Sequence, residues 1–349
     1  MIPTEPIKNS IKKYYSSLLD RRYHFISNRQ ALKALKHIEK QKGKLPIQLK
    51  KVVRQYAQET LGWKGYAPWL LVYSAICGKF KKGWIPDNYY RMVITPKLQG
   101  EYGKVSFLKP LTKPLFQTDT LVDIAYFINT DWFDHNYKKL STPQVEKLIG
   151  KQTNKIVFKV DNSFQGKGVK VFNTEDLNLK TIENIGNGTL QRFVEQHDFF
   201  NQFQTNSTAT IRLTTVIDKT GTASLRAGYL RLGRTRDTHI SSKTHIRVPI
   251  DIAEGTLEEV GYLPNWYTIT NHPDSKIEFK DKTIPNFKTC VEEVKKLHLK
   301  LPMVQCIGWD VIIDKHSQMA LMEWNGYGND IKFSEATQGP CFKGLGWID

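Results

Sequence analysis

Several large classes are excluded by what this 349-residue sequence lacks. Its four cysteines, Cys77, Cys290, Cys306 and Cys341, stand far apart, with no CxxC pair and no histidines at metal-ligand spacing. That pattern argues for buried free thiols and against a disulfide framework or a zinc site. No run approaches the ~20 apolar residues of a membrane helix, and the opening MIPTEPIKNS has no basic-then-apolar leader. A cytoplasmic location is therefore expected. Internal repeats and low-complexity segments are also missing.

Acidic residues are scarce at one end. The first hundred positions hold 20 of the 51 Lys and Arg but only 5 of the 34 Asp and Glu, so almost all of the net +17 sits there. Such a segment attracts nucleic acid, an anionic membrane surface at the inner face, or a phosphorylated substrate carrier; charge alone does not choose among them. Helical spacing recurs through this third. Ile7, Ile11, Tyr14, Leu18 and Leu19 mark a first helix, Ser27 is placed to cap a second that ends near Gly43, and a third runs from Pro46 to about Leu61 with Val52, Val53, Tyr56 and Ala57 inward. The apolar run Trp69 to Cys77 reads as a buried core helix or, failing that, an interfacial one. Prolines and glycines from Gly83 to Pro114 predict a boundary with short strands, and residues 120 to 150 are expected to be helical, with Pro143 in a first turn after Ser141 or Thr142.

Two hairpins carry the chemistry. In Lys155 to Phe172, KIVFKVDNSFQGKGVKVF, the alternation puts Ile156, Phe158 and Val160 on one face and Lys155, Val157 and Lys159 on the other. The connecting loop, with Ser163, Gly166 and Gly168, is either a plain hairpin connection or a loop whose backbone amides close on phosphate. It is not a Walker loop, because Val169 to Phe172 alternate as a strand instead of opening a helix. In CIGWDVIIDKHSQMALMEWNG, a short loop pairing Asp314 with Met319 places Asp310 opposite Glu323, with β-carbons ~4.5–5.5 Å apart. Trp309, Val311, Ile313, Ala320, Met322 and Trp324 then share the apolar face, and Asp310, Ile312, Leu321, Glu323 and Asn325 the other. Two facing carboxylates repel unless a cation offsets them, and with Asn325 they supply the hard oxygen donors that Mg²⁺ takes.

Strands are further expected at Thr189 to Val194, Ala209 to Asp218, Ala223 to Gly233 and His245 to Ile252, and a helix from Asn286 to Leu301, making a mixed α+β class. In their order, Lys159 before DNSFQGKGV, then LQRFVEQHDF, TATIRLTTV, and Asp310 with EWN resemble the ATP-grasp superfamily. More narrowly, they are similar to the sugar-transfer-associated ATP-grasp proteins found with surface polysaccharide synthesis. The resemblance spans roughly residues 85 to 345, and the helical N-terminal third is similar to that subgroup as well. It implies two α+β lobes clamping ATP. A basic helical region would occupy 1–84, a linker with a helical segment 85–150, the small lobe 151–194 and the large lobe 195–349.

The resemblance also implies roles. Lys159 would bind the α- and β-phosphates, and the loop from Ser163 through Gly166 to Gly168 would cover the β- and γ-phosphates. Gln191, Arg192, Phe193 and Val194 would form the adenine hinge, and Asp198 would reach the ribose. Lys113 fits an earlier ATP-contacting lysine, with Lys109 the alternative. Asp310, Glu323 and Asn325 would hold Mg²⁺. Arg212, sharing a strand face with Thr210 and Thr214, would brace the transferring phosphate, and Arg231 is a second candidate. The stretch His239 to Arg247 departs from the glycine-rich pattern often seen there. Superfamily chemistry implies a carboxylate–amine ligase working through an acyl phosphate, joining small molecules such as an amino acid and a sugar acid or a lipid-linked glycan. A kinase that stops at phosphoryl transfer, and a basic module for nucleic acid or a membrane surface, are the alternatives; nucleic acid is not the expected partner.

Overall fold

A computed structural model describes residues 5–152, 154–163, 167–204, 206–237, 239 and 244–348, with side chains from residue 18 onward. The chain forms two compact units, one of Met1–Lys97, Asn265–Tyr267 and Asp330–Asp349, the other of Leu98–Pro264 and Thr268–Asn329.

The first unit is helical. Its main elements are α1 (Glu5–Lys42), α2 (Ile47–Glu59) and α3 (Ala67–Cys77). Ser27 does not start a helix, contrary to the sequence reading; it lies inside α1. No glycine or proline separates Leu19 from Ser27, and the buried Ser27 hydroxyl serves tertiary partners instead of a cap. It donates to Asp87 Oδ2 at 3.0 Å and accepts from Trp69 Nε1 at 2.9 Å. The apolar run Trp69 to Cys77 is a core helix whose residues up to Ile76 are buried. In α2, Val53, Tyr56 and Ala57 face inward but Val52 is exposed. The helix Lys332–Thr337 completes the unit. On it the fully buried Glu335 carboxyl accepts the amides of Ile85 and Cys341, each at 2.7 Å, and burial pushes it up to about 8.

The second unit is built on two antiparallel sheets. Six strands, β1 (Asp123–Ile128), β2 (Asp131–Phe133), β3 (Lys139–Leu140), β4 (Lys155–Val160), β5 (Val169–Asn173) and β6 (Gly188–Arg192), are ordered β3-β2-β1-β6-β4-β5. Seven more, β7 (Thr210–Ile217), β8 (Ala223–Leu232), β9 (Ile246–Pro249), β10 (Gly261–Tyr262), β11 (Thr268–Ile269), β12 (Cys306–Ile313) and β13 (Met319–Asn325), are ordered β11-β10-β9-β8-β7-β12-β13. One face of each sheet packs on a helix, and in the seven-stranded sheet β12 is buried on both faces. Ile156, Phe158, Ala125 and Leu190 pack with Val145 and Ile149 of the helix Thr142–Ile149, whose start carries the Ser141–Gln144 capping box. Leu213, Leu230, Trp309 and Val311 pack with Cys290, Val294 and Leu297 of the helix Phe287–Leu299.

Two expectations are corrected. Residues 87–116 form short helical turns, including Tyr102–Phe107 and Thr112–Phe116, instead of strands. Conversely, β1 to β3 stand in the first part of the stretch expected to be helical, whereas the helix after Ser141 is as expected. The aromatic and β-branched residues of VDIAYFI suit a half-buried strand, and Asn129 and Thr130 take the left-handed backbone (φ 49° and 74°) that turns β1 into β2.

Candidate active site

The β12–β13 hairpin reaches the expected pairing by an unexpected route. Its loop is one residue longer than assumed, so Met319 faces Ile313 and not Asp314. A bulge between the Val311↔Leu321 and Asp310↔Glu323 pairs then leaves Met322 unpaired and brings Asp310 back opposite Glu323. Side chains between loop and bulge therefore change faces. Leu321 packs with Trp309 and Val311 in the core, whereas Ala320 and Met322 lie with Ile312 on the other side. The bulge also frees the Met322 carbonyl, which accepts Lys159 Nζ at 3.0 Å and Gln191 Nε2 at 3.4 Å. One backbone atom of the seven-stranded sheet thus ties down two side chains of the six-stranded sheet.

Around this tie lies a cleft of about 920 Å³. Its apolar walls are Val157, Val169 and Val171 from the β4–β5 hairpin, Ile312 and Met322 from the other sheet, and Phe193 and Val194 after β6. Hairpin register explains the valines: Lys159 pairs with Val169 and Val157 with Val171, so all four share one face. Lys159, 7% exposed, stands at the base, and burial lowers its pKa while Glu323 acts in the opposite sense. Lys109, Arg192, Arg231, Asp310 and Glu323 complete the polar lining with Ser163, Thr208, Thr210 and His239.

Asp310, also 7% exposed, is bracketed by two guanidiniums. Arg212 binds it bidentately, Nε to Oδ1 at 2.5 Å and Nη2 to Oδ2 at 3.1 Å, and Arg231 Nη2 reaches Oδ2 at 2.7 Å. Burial alone would raise this carboxyl; the two arginines outweigh it and hold the group well below the usual carboxylate range. Arg212 Nη1 further donates to Asn329 Oδ1 at 3.2 Å. The strand beneath must be bare for this, since a Cβ on Gly308 would stand 2.2 Å from Asn329 Oδ1 and 3.1 Å from Arg212 Nη1. Glu323 is less committed, with Lys109 Nζ 3.9 Å from its Oε1. Lys109, Lys159, Arg212 and Arg231 against Asp310 and Glu323 leave this end of the cleft positively charged, as a polyanionic ligand requires.

The glycine loop is anchored at both ends. Ser163 Oγ donates to the Val160 carbonyl at 2.6 Å, and a Cβ on Gly168 would come within 2.2 Å of that hydroxyl. Asp161 Oδ1 accepts the Lys109 amide at 3.0 Å and Asn162 donates to the Phe107 carbonyl at 3.0 Å, so the loop's root fixes the segment that carries Lys109.

Most of the sequence-derived residues converge here. Lys159, Ser163, Arg192, Phe193, Val194, Arg231, Asp310 and Glu323 line the cleft, with Gln191 and Arg212 directly behind. Lys113 does not: its ammonium turns to the Thr118 carbonyl at 2.6 Å and Asp119 at 3.2 Å, and Lys109 occupies the position sought. Spacing along the chain favoured Lys113 because it ignores the direction in which the short helical turns aim their side chains. Asp198 is exposed at the first turn of Asp198–Asn201, where it accepts from Asn201, and is not among the lining residues. Asn325 is half-buried and donates to the Gly308 carbonyl at 3.2 Å. Gly166 and residues 240–243 of the His239–Arg247 stretch lie outside the described residues. The carbonyl of Met322, Asn329, and Asp123, which accepts from Gln191 Nε2 at 2.8 Å, carry no sequence signal, since only a bulge or a long-range contact gives them a role.

The donors suit a hard divalent cation. Glu323 offers both oxygens, and the two guanidiniums fill most but not all of the acceptor positions of Asp310.

Residues 179–344 match the sugar-transfer-associated ATP-grasp family. Over that span, just under half of its length, the chain is similar to the ATP-grasp superfamily. Lys159, Ser163 and Gly168 precede the matched span. Solved structures similar to this chain include the Staphylococcus aureus N5-carboxyaminoimidazole synthetase complexed with ADP (TM-score 0.39, 11% identity, 75% of this chain and 51% of that one). Others are the biotin carboxylase domain of Hydrogenobacter thermophilus 2-oxoglutarate carboxylase with MgADP (0.40, 12%, 67% and 46%) and the ATP-grasp ligase PsnB with a precursor variant, Mg and ADP (0.38, 11%, 70% and 58%). The chain thus spans about half the length of these structures. No curated protein matches the sequence.

Proposed function

We propose that this chain is an ATP-dependent carboxylate–amine (or related nucleophile) ligase that works through an acyl phosphate, acting on a sugar acid or glycan precursor in surface polysaccharide biosynthesis. One observation carries the reading: an apolar slot between two sheets that ends in Lys159, Lys109, the Asp310–Glu323 pair and two arginines. The match over 179–344 supports the same class, and the glycan part follows that match alone.

In this mechanism the valines of the β4–β5 hairpin and Ile312 and Met322 of the opposite sheet enclose the adenine, and residues Gln191 to Val194 border it. Lys159, held by the Met322 carbonyl, and Lys109, held by Asp161, bind phosphate oxygens. Mg²⁺, with Glu323 as principal ligand and Asp310 and Asn325 as further ones, would supply charge neutralisation on the phosphates. Arg231 and Arg212 stabilise the negative charge of the transferring phosphoryl group. A substrate carboxylate oxygen attacks the γ-phosphorus and ADP leaves. An amine then attacks the acyl carbon, phosphate leaves with the C–O electrons, and the nitrogen releases a proton to solvent. The loop beginning at Ser163 excludes water from the acyl phosphate. A lipid-linked acceptor would bring the chain to an anionic membrane surface.

The test is ADP release across a matrix of sugar acids and amino acids, with amide formation followed by mass spectrometry. Glu323→Gln should abolish turnover while the circular dichroism spectrum is unchanged. Full activity in that variant would sink the metal assignment, and a phosphorylated product without amide would make the protein a kinase.

A further inference from the structure

Helix α1 has two opposed faces, and the fold accounts for one of them. At 100° per residue, Ser27, Ala31, Ala34, Leu35 and Ile38 fall on one stripe, and all are buried. On the opposite stripe Leu18, Phe25 and Leu32 recur every seven residues and are 40%, 68% and 53% exposed. Between them, at the same interval, stand Arg22, Arg29 and Lys36, all exposed. Long apolar side chains and cations therefore alternate along one outer surface. Neither acid of this part of the helix lies on it: Asp20 projects near the buried stripe, and Glu39 lies to one side, bound to Lys50 at 3.0 Å.

We infer that this stripe of α1 is a docking surface for an anionic lipid bilayer, with the helix lying in the plane of the interface. Phe25, Leu18 and Leu32 enter the boundary between headgroups and acyl chains, and Arg22, Arg29 and Lys36 extend their charges to lipid phosphates on either side. The charge balance selects the partner, because the first hundred residues carry four basic groups for each acidic one. A second copy of the chain would bring like charges together along the same heptad positions. Nucleic acid would draw on the cations but leave exposed apolar side chains without a counterpart. No described helix is long and apolar enough to cross a membrane, so the contact is peripheral.

The experiment is cosedimentation of the full chain with phosphatidylcholine vesicles containing roughly a third phosphatidylglycerol, and with pure phosphatidylcholine, at low and raised salt. Binding is expected on the anionic vesicles only, and weaker as salt rises. The combined variant Arg22→Glu, Arg29→Glu and Lys36→Glu should lower partitioning about 100-fold, and Phe25→Ser with Leu32→Ser about tenfold. All five positions are exposed, so unchanged circular dichroism and thermal midpoint should accompany both losses. Equal binding to both vesicles, no binding, or binding that survives both variants would overturn the inference. So would capture of a short DNA duplex in place of vesicles, or a dimer in sedimentation that the same variants dissolve. No turnover is read, so the outcome is independent of the ligase reading.

Discussion

Asp310 illustrates how much a single side chain can owe to its neighbours. A carboxylate buried to this depth is unfavourable by itself; between Arg212 and Arg231 it is the counter-ion on which two guanidiniums depend. Asp310→Asn should therefore destabilise the protein by about 3–5 kcal/mol in urea titrations, since it leaves both cations buried beside a neutral amide. Replacing all three together by Leu and Met should cost less, and an equal or larger loss would show that the cluster is net stabilising. His298 is a second case. Trp309 Nε1 donates to Thr215 Oγ1 at 2.7 Å, Thr215 donates to His298 Nδ1 at 2.6 Å, and His298 Nε2 donates to the Val304 carbonyl at 2.7 Å, a chain that requires the neutral ring. Burial lowers its pKa from 6.5 to about 4. The unfolded state binds this proton first, so the contribution is complete above pH 6.5 and disappears as pH falls towards 4, by roughly 3 kcal/mol. His298→Gln should flatten that part of the stability–pH curve.

At the scale of elements, the bulge in β13 decides what the cleft is. With Met322 paired in place of the bulge, the Asp310↔Glu323 pair would set Leu321 opposite Ile312 and out of the core, and no free carbonyl would meet Lys159 and Gln191. Deleting Met322 leaves every other pair of the hairpin in register and removes only the free carbonyl, so the circular dichroism spectrum should be unchanged while ATP binding weakens; an unfolded product would show that the bulge is needed for the fold itself. Gln191→Ala is the milder probe. It removes a donor to the Met322 carbonyl and to Asp123, and should weaken ATP binding measured calorimetrically by about 1–2 kcal/mol. Unchanged affinity would show that Lys159 alone sets the position of that carbonyl relative to the ligand.

Across the whole molecule, charge and protonation act in different places. Buried Glu335 fastens Ile85 and Cys341 in the helical unit, and burial raises its pKa from 4.5 to about 8. A raised carboxyl stabilises fully below pH 4.5 and loses that contribution as pH climbs through 8, the opposite sense to His298. The thermal midpoint should fall by several degrees between pH 6 and 9 in the natural chain and much less in Glu335→Gln. How much of this could be read beforehand depends on range. Period-two alternation in KIVFKV and CIGWDVII, the core helix Trp69 to Cys77 and the basic first third were legible because they rest on local spacing and composition. The Asp310–Glu323 opposition was legible too, although the reading missed both the five-residue loop and the bulge that restores the pairing. Lys113 was preferred over Lys109, Asp198 was expected at the cleft, and the first strands of the six-stranded sheet were expected to be helical. By itself the sequence determined the alternation of faces in the unbulged strands, the residue types able to meet phosphate and a hard cation, and the asymmetry of charge. The tertiary structure alone decided which lysine enters the cleft, which carbonyl fixes Lys159 and how Asp310 is neutralised. Those outcomes depend on the direction of short turns, one inserted residue, and partners up to 163 positions away, none of which local spacing encodes.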